Sequence, residues 1–320
     1  MTQPRKHHYL PQFYLRGFSG NGKQIFQIEK SEARGYLCAI RDAAAIRDYH
    51  ELDYEDAEDP HALEKRLSEI ESQLAEALAD VIASGIVGNI SHARLIEFVS
   101  LMRVRVPAFK QYIEESLRQF VRSTGKILER KGKFPPPPQG LESIFARDGV
   151  TISISNWKCL EYMFGLASDQ DILRMLAAMT PSILRAPKGN NLLTCDQPVA
   201  VFHPEADPAD PYGIGLADPR TQLSLPLSSQ VLLLLTWDKD AVRERLLQPD
   251  EVNEFNRRTT VMAEALVFAP EASESAIQTV AQNKHCSAGI ALRVLDSGDS
   301  ALHMSTFRPV MPAEKYRANA

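Results

Sequence analysis

What this 320-residue chain has little of narrows it first. There are four cysteines, Cys38, Cys159, Cys195 and Cys286, separated by 121, 36 and 91 residues. No C-x-x-C pair or Cys/His ligand spacing occurs, so a zinc ribbon, a redox pair and a disulfide-stapled scaffold are all disfavoured. Buried reduced thiols are the expectation. Long apolar runs are also missing: Val231–Leu235 is far short of the ~20 residues a membrane span needs. No apolar segment follows the polar, basic Met1–Tyr9, so no secretory leader is expected and a cytoplasmic protein without membrane attachment is. An excess of positive charge is absent too. The 36 basic and 41 acidic residues leave a net −5, which excludes a uniformly basic nucleic-acid coat. With 44% hydrophobic residues the chain can bury a core, so disordered and collagen-like classes fall away.

The patterning divides the chain into an N-terminal arm with strands (1–50), a helical region (51–185) and a strand-rich region (186–320), read as one integrated domain. Gln24–Glu29 alternates polar and apolar and predicts a half-buried strand. An acidic loop, Asp48–Asp59, carries seven carboxylates in twelve residues and ends in Asp59-Pro60, a helix start. Leu63, Leu67, Ile70, Leu74, Leu78 and Val81 share one helical face, which Gly85 and Gly88 end. Ser91 opens a second helical pattern running to about Lys131, with Pro107 expected to kink or break it. Pro135–Pro138 is a semi-rigid connector. Helix is expected over Asn156–Met179, Glu251–Phe268 and Glu271–Asn283. Strands are expected over Asn191–Phe202, Leu223–Leu227, Gln230–Trp237, Gly289–Leu295 and Leu302–Phe307. This order predicts an α+β fold: long central helices with a mixed or mainly antiparallel sheet built from N-terminal and C-terminal strands.

Two familiar patterns fail. Gly17–Lys23 matches the start of a phosphate-binding loop, but Gln24 stands where a magnesium-binding hydroxyl is needed, and a strand follows instead of a helix. Gly213-Ile214-Gly215 lacks the third glycine and preceding strand of a dinucleotide fingerprint. Cys195 and His203 have no local support as a nucleophile and base.

The unusual segment is Lys6–Phe18, KHHYLPQFYLRGF. Two histidines, a tyrosine and an arginine sit among large apolar side chains, which is not the composition of a mobile terminus. Phe13, Leu15 and Phe18 are expected to anchor it to the body. A docked His7/His8 pair would offer a general acid and base near neutral pH. The bland alternative is a structural arm whose histidines cap backbone groups.

This segment resembles the opening signature of a widespread, mostly microbial family catalogued as a domain of unknown function, close to H-H-Y-x-P-Q-F-Y-L-R-x-F. The resemblance extends through most of the chain. Arg105-Val106-Pro107 matches a mid-chain R-T/V-P motif. Thr194–Pro198 matches a T-S-D-N-P motif, with Cys195 and Gln197 in place of Ser and Asn. Pro226–Ser229 follows a P-L-S-P-like segment, with Ser229 in place of Pro. Asn253 and Asn256 correspond to paired asparagines on a late helix. The resemblance implies site positions rather than a reaction.

Those positions make a chemical inventory. His7, His8 and Asp196 are the candidate catalytic groups. Tyr9, Gln12, Arg16, Arg103, Arg105, Asn253 and Asn256 are the candidate substrate-binding groups, with Glu64 a candidate neighbour. On periodicity alone Glu64 and Glu71 belong to a solvated helix face. Imidazoles move protons and guanidinium forks suit phosphate. The set points to a phosphodiester-acting hydrolase, nuclease-like, in a host-defence or toxin setting. One certain carboxylate is poor for magnesium, and no particular metal or cofactor is implied. The alternative is a non-catalytic sensor or adaptor that binds a nucleotide or protein and uses the aromatic arm as a clasp. Residues 1–50 carry +4 and 91–133 carry +6 against −9 in 51–80, so local basic segments could meet nucleic acid or a nucleotide. Arg118, Arg122, Lys126 and Arg130 form the clearest basic stripe.

Overall fold

The computed structural model describes residues 6–54, 59–146, 149–207, 209–210 and 212–317; residues 55–58 of the acidic loop lie outside it. The arm opens as β1 (Lys6–His8), antiparallel to β4 (Ala45–Arg47) with His7 opposite Ile46. It continues as the short α1 (Gln12–Arg16). Tyr14, Leu15 and Phe18 are wholly buried, whereas Phe13 is only partly so. Each fully buried side chain of this size contributes roughly 1.5–3 kcal/mol over leaving it in water, so the arm is core and not a tail. Tyr14 also shares a buried hydrogen bond with Thr194 Oγ1 at 2.6 Å.

Two sheets organise the rest. β2 (Gln24–Glu29) and β3 (Arg34–Ala39) form a hairpin. α2 (Ala62–Ser84) follows, with Leu67, Leu74, Leu78 and Val81 buried as the periodicity predicts. Its cap is His61, two residues later than expected, because the Asp59 side chain accepts from the His61 N–H and holds the preceding turn. Gly85 ends it at φ +69°, and a Cβ there would collide with the Glu244 carboxylate. α3 (Asn89–Val104) starts after Gly88 rather than at Ser91, whose hydroxyl donates to the Gly88 carbonyl. α4 (Pro107–Arg130) places Pro107 at its first position, where its missing N–H costs nothing. The long pattern is therefore two helices broken across Arg105 and Val106.

The Asn156–Met179 stretch is also two helices, α5 (Asn156–Ala167) and α6 (Gln170–Ala178), the second capped by Asp169. β5 (Thr180–Arg185), which the sequence pattern does not announce, follows at once. Then come β6 (Thr194–Cys195), β7 (Ala200–Phe202), β8 (Gln222–Ser228), β9 (Val231–Thr236) and β10 (Glu244–Leu246). α7 (Pro249–Met262) is shorter than expected, and the remainder of its apolar run becomes β11 (Leu266–Ala269). Buried Lys30 closes α7, donating to the carbonyls of Ala263 at 2.6 Å and Val261 at 3.3 Å. α8 (Glu274–Asn283), the hairpin β12 (Gly289–Asp296) and β13 (Ala301–Arg308), and α9 (Ala313–Arg317) complete the chain.

One sheet runs β10-β5-β9-β8-β7, antiparallel except for the β10–β5 pair. The other runs β3-β2-β11-β6 and joins N-terminal to C-terminal strands. In β8 the register shifts between Pro226 and Ser228, next to a proline that offers no N–H to the ladder. The fold is α+β. All four cysteines are free thiols, Cys159 and Cys195 buried and Cys38 and Cys286 half-buried. Among the described residues no single helix is long and apolar enough to cross a membrane.

Candidate functional site

Alternation along β1 sends His7 inward, 1% exposed, and leaves His8 half-buried on the other side. His7 Nδ1 accepts the backbone N–H of His50 at 2.9 Å. Its lone pair is thus committed, and the neutral ring carries its proton on Nε2. The His50 side chain is wholly buried, and its Nδ1 donates to Glu64 Oε2 at 2.6 Å. That fixes the opposite tautomer: the His50 Nε2 holds a lone pair, buried and without a partner among the described residues. The two rings stack at 5.7 Å and 12°, and His61 meets His7 edge-on at 5.9 Å. Burial pushes the His50 pKa down to about 4 against the opposing pull of Glu64. Burial works to raise the Glu64 pKa, but the His50 hydrogen bond and nearby positive charge hold it below its ordinary value. Neutral imidazole beside ionised carboxylate is the resting state at neutral pH.

Arg105 lies beside this pair. It is 1% exposed, although arginine is among the residues least often buried. Its Nη2 donates to the His8 carbonyl at 2.8 Å, and the Tyr49 hydroxyl donates to its own carbonyl at 3.1 Å. Glu71 Oε1 stands 2.9 Å from Nη1, within ion-pair distance but off the N–H axis. Nε and Nη1 consequently have no in-line acceptor among the described residues. Arg103 also buries an unpartnered Nη1, and burial lowers its pKa to about 10, so it stays charged.

Other sequence candidates are placed differently. Tyr9 is buried, its N–H donating to the Ala44 carbonyl at 3.0 Å, and its ring meets Tyr49 at 6.2 Å. Gln12 is half-buried, and Arg16 is exposed at the end of α1. Both Asp196 oxygens are spent on backbone amides: Glu264 at 2.9 Å, Ala265 at 2.7 Å and Leu266 at 2.9 Å. They pin the turn between α7 and β11. Burial still raises the Asp196 pKa to about 6, because three amide donors only partly replace water. Asn256 accepts from the Leu193 N–H and donates to the Asn191 carbonyl, tying α7 to the segment before β6. Asn253 is exposed beside a hollow of ≈170 Å³. The structure thus gathers His7, Tyr9 and Arg105, brings in His8 through its backbone carbonyl with its ring on the opposite side of β1, and gives Asp196 and Asn256 separate hydrogen-bonding partners. On α4, Arg118 pairs with Glu114 and Glu115, and Arg130 with Asp296.

Three members were not singled out from sequence as site residues: His50, His61 and Glu71. Glu64 and Glu71 are not a merely solvated face, since one carries His50 and the other Arg105. The available signal was spacing, because His61, Glu64 and Glu71 recur on one face of α2. His7, His50 and Glu64 offer ligand atoms within 4.8 Å of one another. A cation held through the Nδ1 atoms would displace the His50 amide and the His50 proton, and one held through His7 Nε2 needs the tautomer that amide opposes. The donors therefore suit proton transfer better than metal binding.

Fold and cluster together define an α+β protein built around a buried histidine–carboxylate–arginine group. The chain belongs to the family described as protein of unknown function (DUF4238), whose model matches residues 6–273. No curated protein and no solved structure matches it.

Proposed function

We propose that the protein is a hydrolase of phosphate esters, with phosphodiesters of nucleic acids or nucleotides as the substrate class. His50 backed by Glu64 moves the proton, and Arg105 receives the anion. The supporting observation is that both groups keep buried, unpartnered atoms in one cluster among the described residues: Nε2 on His50 and Nε on Arg105, whose Nη1 is ion-paired with Glu71. Unmade hydrogen bonds of this kind are costly and mark sites that bind something. With its pKa pushed down to about 4 by burial, His50 is unprotonated at pH 7, the protonation state a general base needs. Its neighbour His7 presents an Nε2–H, the complementary donor. Glu64, whose side chain is 36% exposed, links the cluster to solvent.

The test is cleavage of single- and double-stranded RNA and DNA and an activated phosphodiester at pH 7 by wild type and His50→Gln. Loss of a general base lowers the rate by about 10²–10⁴-fold. Equal rates, or no cleavage of any substrate by the wild type, refute the reading.

One observation favours a rival. His7 Nδ1 and the Arg105 guanidinium stitch the arm to the 49–50 segment and to the α3–α4 junction. A sensor or adaptor with the arm as its clasp needs only that. It predicts that His50→Gln lowers the melting temperature and changes no rate.

A further inference from the structure

A second site lies where the α2–α3 turn, the start of β5 and the β9–β10 connection meet. They enclose a cleft of ≈650 Å³, within the range of small-molecule sites. Its walls are mixed. Ile86, Met179 and Pro181 give apolar surface, while His92, Lys239 and Arg243 bring nitrogen donors. Among the described residues the only acidic side chain in the lining is Glu244, and its carboxylate is already engaged by Arg185 at 2.8 Å.

The donors are underused. Among the described residues no carboxylate pairs with Arg243, which is exposed to the cleft. Lys239 gives one hydrogen bond to the Ala178 carbonyl, and an ammonium has two more to give. Among the described residues the buried His92 Nε2 has no hydrogen-bond partner. Behind it, α3 begins at Gly88 with no side-chain cap and no acidic residue in its first turn, so the positive end of a 16-residue helix faces the same space.

We propose that this cleft binds a small organic phosphate, its phosphate held by Arg243, Lys239 and His92 and its organic part lying against Ile86 and Met179. A guanidinium fork, an ammonium and an imidazole can meet three phosphate oxygens at once, which a single carboxylate ligand would not use as fully. The site is independent of the histidine cluster, since none of its lining residues belongs to that group.

The experiment is calorimetric titration and thermal shift of the full chain with inorganic phosphate, AMP and adenosine. Arg243→Ala tests the site, because the residue is exposed and its carbonyl, not its side chain, bonds to the Ile183 N–H. His50→Gln serves as control. Phosphate and AMP are expected to bind and to raise the melting temperature, AMP more strongly, and adenosine to do neither. Arg243→Ala should weaken AMP about tenfold or more, as loss of a charge-assisted contact implies. His50→Gln should bind AMP as wild type does. The proposal is overturned if neither phosphate nor AMP stabilises the protein at millimolar concentration, or if Arg243→Ala binds AMP unchanged. It is equally overturned if His50→Gln abolishes binding, which would place the ligand in the histidine cluster instead.

Discussion

The Arg105–Glu71 pair yields the sharpest stability prediction. Arg105 is 1% exposed, and its nearest carboxylate is Glu71 at 2.9 Å. Truncating Glu71 to Ala leaves the buried guanidinium with one hydrogen bond, to the His8 carbonyl, and only the more distant Glu64 charge. Removing one partner of a buried pair costs about 3–5 kcal/mol. The Glu71 side chain is 23% exposed, so water reaches the pair and the lower end, about 3 kcal/mol, is expected. With a urea slope of about 3 kcal/mol/M for a chain of this size, the midpoint falls by about 1 M. Arg105→Met removes the charge together with its desolvation and should cost less. The double variant should then be more stable than Glu71→Ala alone, because the orphaned charge has gone. Urea unfolding followed by circular dichroism measures all four proteins. A Glu71→Ala midpoint within ~0.2 M of wild type, about 0.6 kcal/mol at that slope, refutes the view that Arg105 depends on Glu71.

Three further outcomes are expected. His50→Gln lowers the rate of phosphodiester cleavage at pH 7 by about 10²–10⁴-fold under the hydrolase reading. Asp196 has a folded-state pKa near 6 against about 3.9 unfolded, so the folded protein holds the extra proton between those values. Its contribution to stability is therefore greatest below pH 4 and declines as pH rises through 6; Asp196→Asn should flatten that slope in urea titrations from pH 4.5 to 7, and an unchanged slope contradicts the assignment. Thr194→Val strands the buried Tyr14 hydroxyl and should cost about 1–3 kcal/mol, most of it recovered by adding Tyr14→Phe.

Helical periodicity made α2 and the two halves of the α3–α4 pattern legible, because one buried stripe against solvent leaves a 3.6-residue signature whatever the partner is. The arm was legible for a similar reason: its aromatic density has no use in water. Local boundaries were less so. α7 and β11 share one apolar run, and only Asp196, reaching across from β6 to three backbone amides, decides where helix yields to strand. β5 was hidden because its flank continues the helical composition of α6.

The sequence by itself determined the α+β class and the docking of Lys6–Phe18, and it singled out His7 and Arg105, which the fold buries in one cluster. Both residues sit in local motifs whose composition only burial explains. Tertiary structure alone decided what they touch. His50 lies 43 residues from His7 and 14 from Glu64, and Glu71 lies 34 residues before Arg105, so no local pattern encodes those pairings. They arise when α2 packs against α3 and brings its first turns and its His61 cap up to the arm. In that low-dielectric space, opposite tautomers and a buried guanidinium with one donor unspent become properties of the cluster rather than of any one residue.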